Sequence, residues 1–332
     1  MKIKNKYCIG MHVQFYEIDM VGESVTAIIN ACNEVDNKEN ITIDICFNVS
    51  QYIEQIDTTK TSKLDLETRM WDEHIQPLKD LGVNVQYHIH QSDEEFYNVG
   101  QYRRDLNYNN CTNHDVIIWG ESDCLLPRNL FAVLDLVDES SREQGINRYC
   151  LTFGVRKMWD ASWKQIEHDK FTNSKYLELD SMEWVNDPSS IWYTMSIEEM
   201  DAINSEVDEL HVEMLNMPRF DGSGLVISSD LIKNGVNIPH ECWFCGEDTA
   251  FQNMAKIIMG DQFVQYVVKN ILKVHNRNHP NKREYVVGEV GKSNASKHRR
   301  QANPKWQRLD KMAQANLALI GRNQSKFYKW SD

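Results

Sequence analysis

DVIIWGESD, residues 115–123, decides how this chain is read. The run from Val116 to Trp119 is apolar and too short for a helix, so it fits a strand buried on both faces. Gly120 ends the run, and Glu121 and Asp123 follow where the chain leaves the strand. At spacing i, i+2 an extended chain points both side chains the same way. Two carboxylates held together repel unless a cation lies between them. Magnesium or manganese takes oxygen ligands and keeps positions open for substrate phosphates. The plainer alternative is a strand-to-helix turn with solvated acids, in which Asp123 caps a helix starting near Pro127.

Upstream, strands and helices alternate. Residues 7–16, 41–47 and 83–90 read as strands, rich in β-branched and aromatic residues. Residues 22–35 carry Val25, Ile28, Ile29 and Cys32 at helical spacing, and 62–80 and 94–109 read as further helices. Leu125 to Val137, opened by Pro127, is expected to be the next helix. This βαβαβαβ order predicts an α/β fold with a mainly parallel central sheet covered by helices on both faces. Ligands bind such sheets at the carboxyl ends of the strands, which is where Glu121 and Asp123 stand.

The second half is less regular. Residues 148–155 read as a strand. Residues 157–217 are rich in Trp and acids, with a helix expected at 196–207, and look like an insertion on the substrate side. A strand runs into a short helix over 223–235, a helix covers 246–260, a strand 263–274, and a late helix about 305–321. Two of these pieces carry chemistry. In GEDTAF, 246–251, Gly246 frees the turn and puts Glu247 and Asp248 in the first turn of a helix. Carboxylates are favoured there by the helix dipole alone. A positioned carboxylate can also take the proton of an attacking hydroxyl. In KVHNRNHP, 273–280, His275 and His279 follow a strand, and a neutral imidazole there could complete a metal shell.

Taken in order, these pieces resemble the GT-A-fold glycosyltransferases, in particular their inverting branch. That family shows an acid-x-acid motif after its fourth strand, a Gly-Glu-Asp-like motif opening a helix, and a late histidine. It also carries an Asn-Gly-Arg pattern ahead of the metal-binding strand, matched here by Asn98, Gly100 and Arg104. The resemblance covers residues 7–280. It implies a metal-dependent transfer of a sugar from a nucleoside diphosphate to an acceptor hydroxyl, with inversion. Glu121 and Asp123 would hold manganese or magnesium and the donor's diphosphate and ribose. His275 would be a further metal ligand, with His279 the alternative. Asp248 would be the base, and Glu247 would orient sugar or acceptor hydroxyls. Phe15, Tyr16 and Glu17 would border the nucleoside, and Arg104 would lie near the donor. Two positions depart from the family: Glu121 where Asp is commoner, and Asn48 where an Asp usually follows the second strand. An amide both donates and accepts, so Asn48 could pair with a pyrimidine edge, and a uridine diphosphate sugar is the favoured donor.

The domain expectation is a catalytic unit over 1–280, with 157–217 as its inserted acceptor-side segment, followed by a basic extension over 281–332. From Lys269 to Asp332 there are 15 Lys+Arg against 4 Asp+Glu, in a chain of net charge −13. Such a tail either meets an anionic partner, closing over a diphosphate for instance, or packs on the acidic body. The 41 % apolar and 26 % charged fractions are those of a soluble globular protein. No run approaches the roughly 18 apolar residues of a membrane span. The basic, then apolar N-terminus lacks a small-residue cleavage site and is interrupted by Glu17 and Asp19, so it reads as a strand and not a signal peptide. A cytoplasmic protein, or one attached peripherally at a membrane, is expected. The eight cysteines form no dense framework, which points to a reducing compartment. Cys242 and Cys245 form one Cys-x-x-Cys, without a second pair to make a zinc site.

Two other functions compete. A sugar nucleotidyltransferase shares the layout but would carry a Gly-rich basic phosphate loop after its first strand, and VQFYEIDMVGES has none. A non-catalytic nucleotide- or glycan-binding module could use the nine Trp and thirteen Tyr as a carbohydrate groove, although such residues are more often core. The acceptor stays open among a glycan, a lipid-linked sugar, a protein and a modified nucleic-acid base.

Overall fold

The computed structural model describes residues 1–49, 63–91, 97–157, 195–215, 221–240, 242, 246–276 and 304–321. The first half alternates as the periodicity requires: β1 (Tyr7–Gln14), α1 (Val21–Asn33), β2 (Ile41–Asn48), α2 (Lys63–Arg69), a π-helical stretch Met70–Ile75, α3 (Gln76–Asp80), β3 (Asn84–His90), α4 (Val99–Asn110) and β4 (Val116–Trp119). Then come β5 (Cys124–Leu125), α5 (Leu130–Glu143), β6 (Tyr149–Lys157), α6 (Ile197–Asn204), β7 (Val212–Met214) and β8 (Leu225–Ser228). The chain continues through α7 (Ser229–Lys233), α8 (Glu247–Met259), β9 (Val264–His275) and α9 (Pro304–Gly321).

One nine-stranded sheet runs in the order β3-β2-β1-β4-β8-β6-β9-β5, with β7 added beside β9. The first four strands in that order are parallel, as are β6 and β9, and β8 is antiparallel to both its neighbours. The α/β class and the mainly parallel sheet are therefore as the sequence predicts. Alternation along β1 and β4 splits the core by face. Tyr7, Ile9, Val13, Val116 and Ile118 pack with α1 and α5 on one face. Cys8, Ile117 and Trp119 pack with Tyr102 and Leu106 of α4 and Phe251 of α8 on the other. Helices thus cover both faces, and β1 and β4 read as largely apolar runs because neither of their faces meets water.

Two local expectations differ. Phe15 and Tyr16 do not extend β1 but turn into a short 3-10 segment, Phe15–Glu17, closed by the Gln14 backbone N–H donating to Glu17 Oε2 at 2.9 Å. The chain does not enter a helix at Pro127. Cys124 and Leu125 pair first with β9, and the helix starts at Leu130. Strand β7 lies inside the stretch read as an insertion, and most of that stretch, 158–194, falls outside the described residues.

The strand order places the site. β1 is flanked by β2 on one side and β4 on the other, so successive connections leave in opposite directions at the β1/β4 edge. That is the crevice where open α/β sheets bind ligands. Gly120 donates to the Gly10 carbonyl at 2.8 Å, continuing the pairing one residue beyond β4 and delivering Glu121 to that crevice. Among the described residues, no helix is long and apolar enough to cross a membrane.

Candidate metal and acid–base site

Glu121 and Asp123 meet His275 because of one short strand. β5 pairs antiparallel with the end of β9, setting Cys124 opposite His275, and Asn276 N donates to the Asp123 carbonyl at 2.8 Å. The turn between the two acids is closed by Cys124 N donating to Glu121 O at 3.1 Å, and Ser24 of α1 donates its hydroxyl to Ser122 O at 2.9 Å. His275 Nε2 lies 2.8 Å from Glu121 Oε2 and 3.3 Å from Asp123 Oδ1. One atom from each of the three residues falls within 4.8 Å of the others.

Asp123 and His275 are buried. Both ring nitrogens of His275 are buried; Nε2 sits at ion-pair distance from both acids, while Nδ1 has no hydrogen-bond partner among the described residues. A buried polar atom in that condition is costly unless something else engages it. Two carboxylate oxygens and one imidazole nitrogen are a donor set that suits manganese or magnesium, with positions left for further oxygen ligands. Burial alone would push the Glu121 carboxyl up. The charges of His275 and Arg103 outweigh it and hold the group well below the usual carboxylate range.

Arg103, which the sequence reading passed over in favour of Arg104, joins this cluster to the second acidic motif. α4 starts at a capping box: Asn98 Oδ1 accepts from Gly100 N at 2.9 Å and Gln101 N at 3.2 Å, while Gln101 Oε1 accepts from Asn98 N at 3.1 Å. Past that first turn, Arg103 is only 1 % exposed. Its guanidinium donates to Glu121 Oε1 at 2.6 Å, to Gly222 O at 3.0 Å, and to Glu247 Oε1. It lies 4.9 Å over the Trp119 ring, whose indole N–H donates to Asn107 Oδ1 at 2.9 Å. The neighbouring Arg104 lies with its Nε 3.9 Å from Asp105 Oδ1. The pattern that marks Arg103 is the stripe Arg103, Asn107, Asn110, at i, i+4, i+7. All three are buried beside the apolar Tyr102 and Leu106. A polar stripe on a buried face is a sequence signal, but apolar periodicity does not detect it.

Gly246 has φ +66° and starts α8, which holds Glu247 and Asp248 in its first turn. Burial pushes the Glu247 carboxyl up, and the facing Arg103 charge opposes this without cancelling it. Asp248 Oδ1 accepts from Thr249 N at 2.6 Å and from Thr249 Oγ1 at 3.3 Å. Gly222 fits between the two motifs: a Cβ on it would lie 2.6 Å from Arg103 Nη1 and 3.3 Å from Asp248 Cβ. The 221–224 loop is pinned from the other side by Lys273, fully buried, whose Nζ lies 2.8 Å from Asp221 Oδ2 and donates to Ser223 O. Lys273 precedes His275 by two residues on β9, so alternation sends both side chains to one face of the strand.

The residues expected to border a nucleoside lie at the ends of β1 and β2. Phe15 is part of the main core, 2 % exposed, and Glu17 is buried as the lock of its own turn. Asn48 is buried, and its amide donates to Tyr97 O at 2.8 Å. At the same strand ends His12 stacks on Tyr102 at 5.5 Å, and His90 stacks on Tyr97 at 4.8 Å. Burial, helped by the charges of His90 and Arg103, pulls His12 down to about 3, so it is neutral. The Tyr16 side chain, His279 and Cys245 lie outside the described residues, and Cys242 is buried.

No family model matches this chain, and no curated protein matches it in sequence. Solved structures resemble its fold. Residues 1–349 of TarS from S. aureus are 9 % identical with a TM-score of 0.44, covering 95 % of this chain and 72 % of that one. M. tuberculosis glucosyl-3-phosphoglycerate synthase, solved with Mn2+, UDP-glucose and phosphoglyceric acid, is 11 % identical with a TM-score of 0.45, covering 97 % and 81 %. GalNAc-T7, solved with UDP, GalNAc and Mn2+, is 11 % identical with a TM-score of 0.45, covering 97 % and 55 %.

Proposed function

We propose that this chain is a metal-dependent glycosyltransferase that moves a sugar from a nucleoside diphosphate, uridine diphosphate being favoured, to an acceptor hydroxyl. The observation that carries the reading is the joined site: Glu121, Asp123 and His275 converge at the β1/β4 crevice, and Arg103 ties Glu121 to Glu247 beside Asp248. Glu121, Asp123 and His275 would hold manganese or magnesium, which supplies Lewis-acid stabilisation of a departing diphosphate when bound.

The chain's own residues divide the remaining work. Glu121 commits Oε1 to Arg103 and turns Oε2 toward His275 and Asp123, so its two oxygens serve different partners. Arg103 keeps the buried acids of both motifs in register. Asp248, whose Oδ1 is held by Thr249, is the base that takes the acceptor hydroxyl proton. A base separate from the metal cluster suits one displacement with inversion at the anomeric carbon. Glu247, paired to Arg103, orients hydroxyls and does not act as the base.

A thermal-shift screen of nucleoside diphosphate sugars with and without Mn2+ tests the reading. One nucleotide series should stabilise the protein, and only when Mn2+ is present. The anomeric configuration of the product, read by NMR, then tests inversion. If no nucleotide sugar shifts the melting point at any Mn2+ concentration, the donor site is wrongly assigned and a non-catalytic role takes its place.

A further inference from the structure

The basic C-terminal segment enters none of the chemistry above, yet its helix α9 lies against the start of α8. Ala313 and Asn316 of α9 are buried, 2 % and 0 % exposed, and Leu317 packs with the core cluster that holds Ala250 and Phe251 of α8. Residues 313, 316 and 317, spaced three and four apart, form one face of the helix. Asn316 is a fully buried amide engaged in a polar interaction. Burying an amide is tolerated where it is bonded, so this face of α9 carries a polar as well as an apolar anchor. On the same face, Leu317 lies against Gly246. A Cβ placed on Gly246 would lie 2.9 Å from Leu317 Cδ2 and 3.8 Å from Cδ1.

The contact matters because Gly246 opens the helix that carries both acids. A helix usually starts at a residue whose side chain caps and anchors it. Here the start is a glycine in the left-handed region with no side chain to anchor, and the next two residues are Glu247 and Asp248. The described contacts of this turn are Ala250 N donating to Gly246 O at 2.8 Å, the Asp248–Thr249 bonds, and the Arg103 bond to Glu247. These hold the turn to its own helix and to the metal side. On the outer side, Leu317 occupies the space a side chain at 246 would have filled.

We infer that Leu317 is a positioning residue: α9 braces the Gly246–Asp248 turn from behind and sets where the base and Glu247 stand relative to the metal cluster. The role of Asp248 rests on the glycosyltransferase reading, but the bracing rests on packing alone. It also gives the C-terminal segment a function other than charge. The brace is apolar, so salt does not release it, unlike a tail held to an acidic body by Coulomb attraction.

The test uses the full-length protein with Leu317→Ala and Leu317→Met. Hydrogen–deuterium exchange of the 246–252 amides is the first readout. Nucleotide-sugar turnover, with kcat and donor KM separated, and Mn2+-dependent UDP binding are the others. Leu317→Ala should speed exchange at 247–250 selectively and at low and high salt alike. It should lower kcat about ten- to a hundred-fold, the scale of an ångström-level misplacement, with donor KM and UDP binding little changed. Leu317→Met should restore both readouts. If Leu317→Ala proves too unstable to purify, Leu317→Val gives the same comparison with a smaller loss of contact. Exchange at 247–250 that stays at the parent rate, or that rises no more than across β1 and β4, overturns the brace. If the parent protein shows no Mn2+-dependent UDP binding, the glycosyltransferase reading fails, while the exchange data still decide the brace.

Discussion

Replacing Arg103 by Met tests the centre of the site. The guanidinium is 1 % exposed and serves Glu121 and Glu247, whose side chains are 23 % and 12 % exposed. Met fills much of the same volume but leaves both acids without their cation. Removing one partner of a buried charge network costs about 3–5 kcal/mol. The half-buried Glu121, which still faces His275, should fall at the low end, so Glu247 carries most of the loss. At about 2 °C per kcal/mol for a chain of this size, the melting point should drop roughly 6–10 °C.

The loss has a pH signature. Burial already raises Glu247 above its usual 4.5, and the Arg103 charge works against that rise. A carboxyl raised on folding binds its proton more tightly in the native state, so its contribution to stability falls as pH rises through the window above 4.5. Without Arg103 the window widens upward. The stability gap between Arg103→Met and the parent should therefore be large near neutral pH and narrow as the pH falls toward the usual carboxylate range. Urea denaturation at several pH values, at fixed ionic strength, reads this directly. Arg103→Lys keeps a charge but not the fork, and should lie between the two. A midpoint for Arg103→Met equal to the parent's, or a gap that does not change with pH, would falsify the assignment of Arg103 as the shared counter-ion.

Two further outcomes test the surroundings. Asp123→Asn and His275→Ala should each abolish the stabilisation by Mn2+ while leaving a folded protein, because each removes one of three ligand atoms that a single ion would share; a Mn2+ shift that persists in both variants places the ion elsewhere. Lys273→Met should cost about 3–5 kcal/mol by removing the cation beside buried Asp221, and adding Asp221→Leu should recover part of it; a double variant no more stable than the single one would show that the pair is not isolated from the rest of the site.

Much of this could be read along the chain because the information is local. The strand–helix alternation, the apolar 116–119 run and the glycine-led acidic turn at 246–248 are patterns over a few residues, and the structure places elements there. The errors fall where local pattern and tertiary packing diverge. Pro127 looks like a helix start, but β9 offers Cys124 and Leu125 a strand edge first. Phe15 continues the β-branched and aromatic run of β1, yet the chain turns into a 3-10 segment there and the ring enters the core. Arg103 and Arg104 are equivalent as letters. A step of about 100° around α4 separates their side chains, and only the positions of Glu121, Gly222 and Glu247 decide which one is bonded there.

The sequence by itself determined the class of fold and which acids stand at strand and helix ends, because backbone periodicity and strand-end chemistry are written within a few residues. The resemblance already set His275 with Glu121 and Asp123 as an expectation; only the tertiary structure decided how the register of β5 brings them together, that Arg103 links them to Glu247, and that α9 stands behind the acidic turn. Those contacts depend on the register of β5 against β9, on a cation buried between two distant segments, and on the rotation of a helix. All are set by long-range packing and desolvation, which no local stretch of sequence encodes.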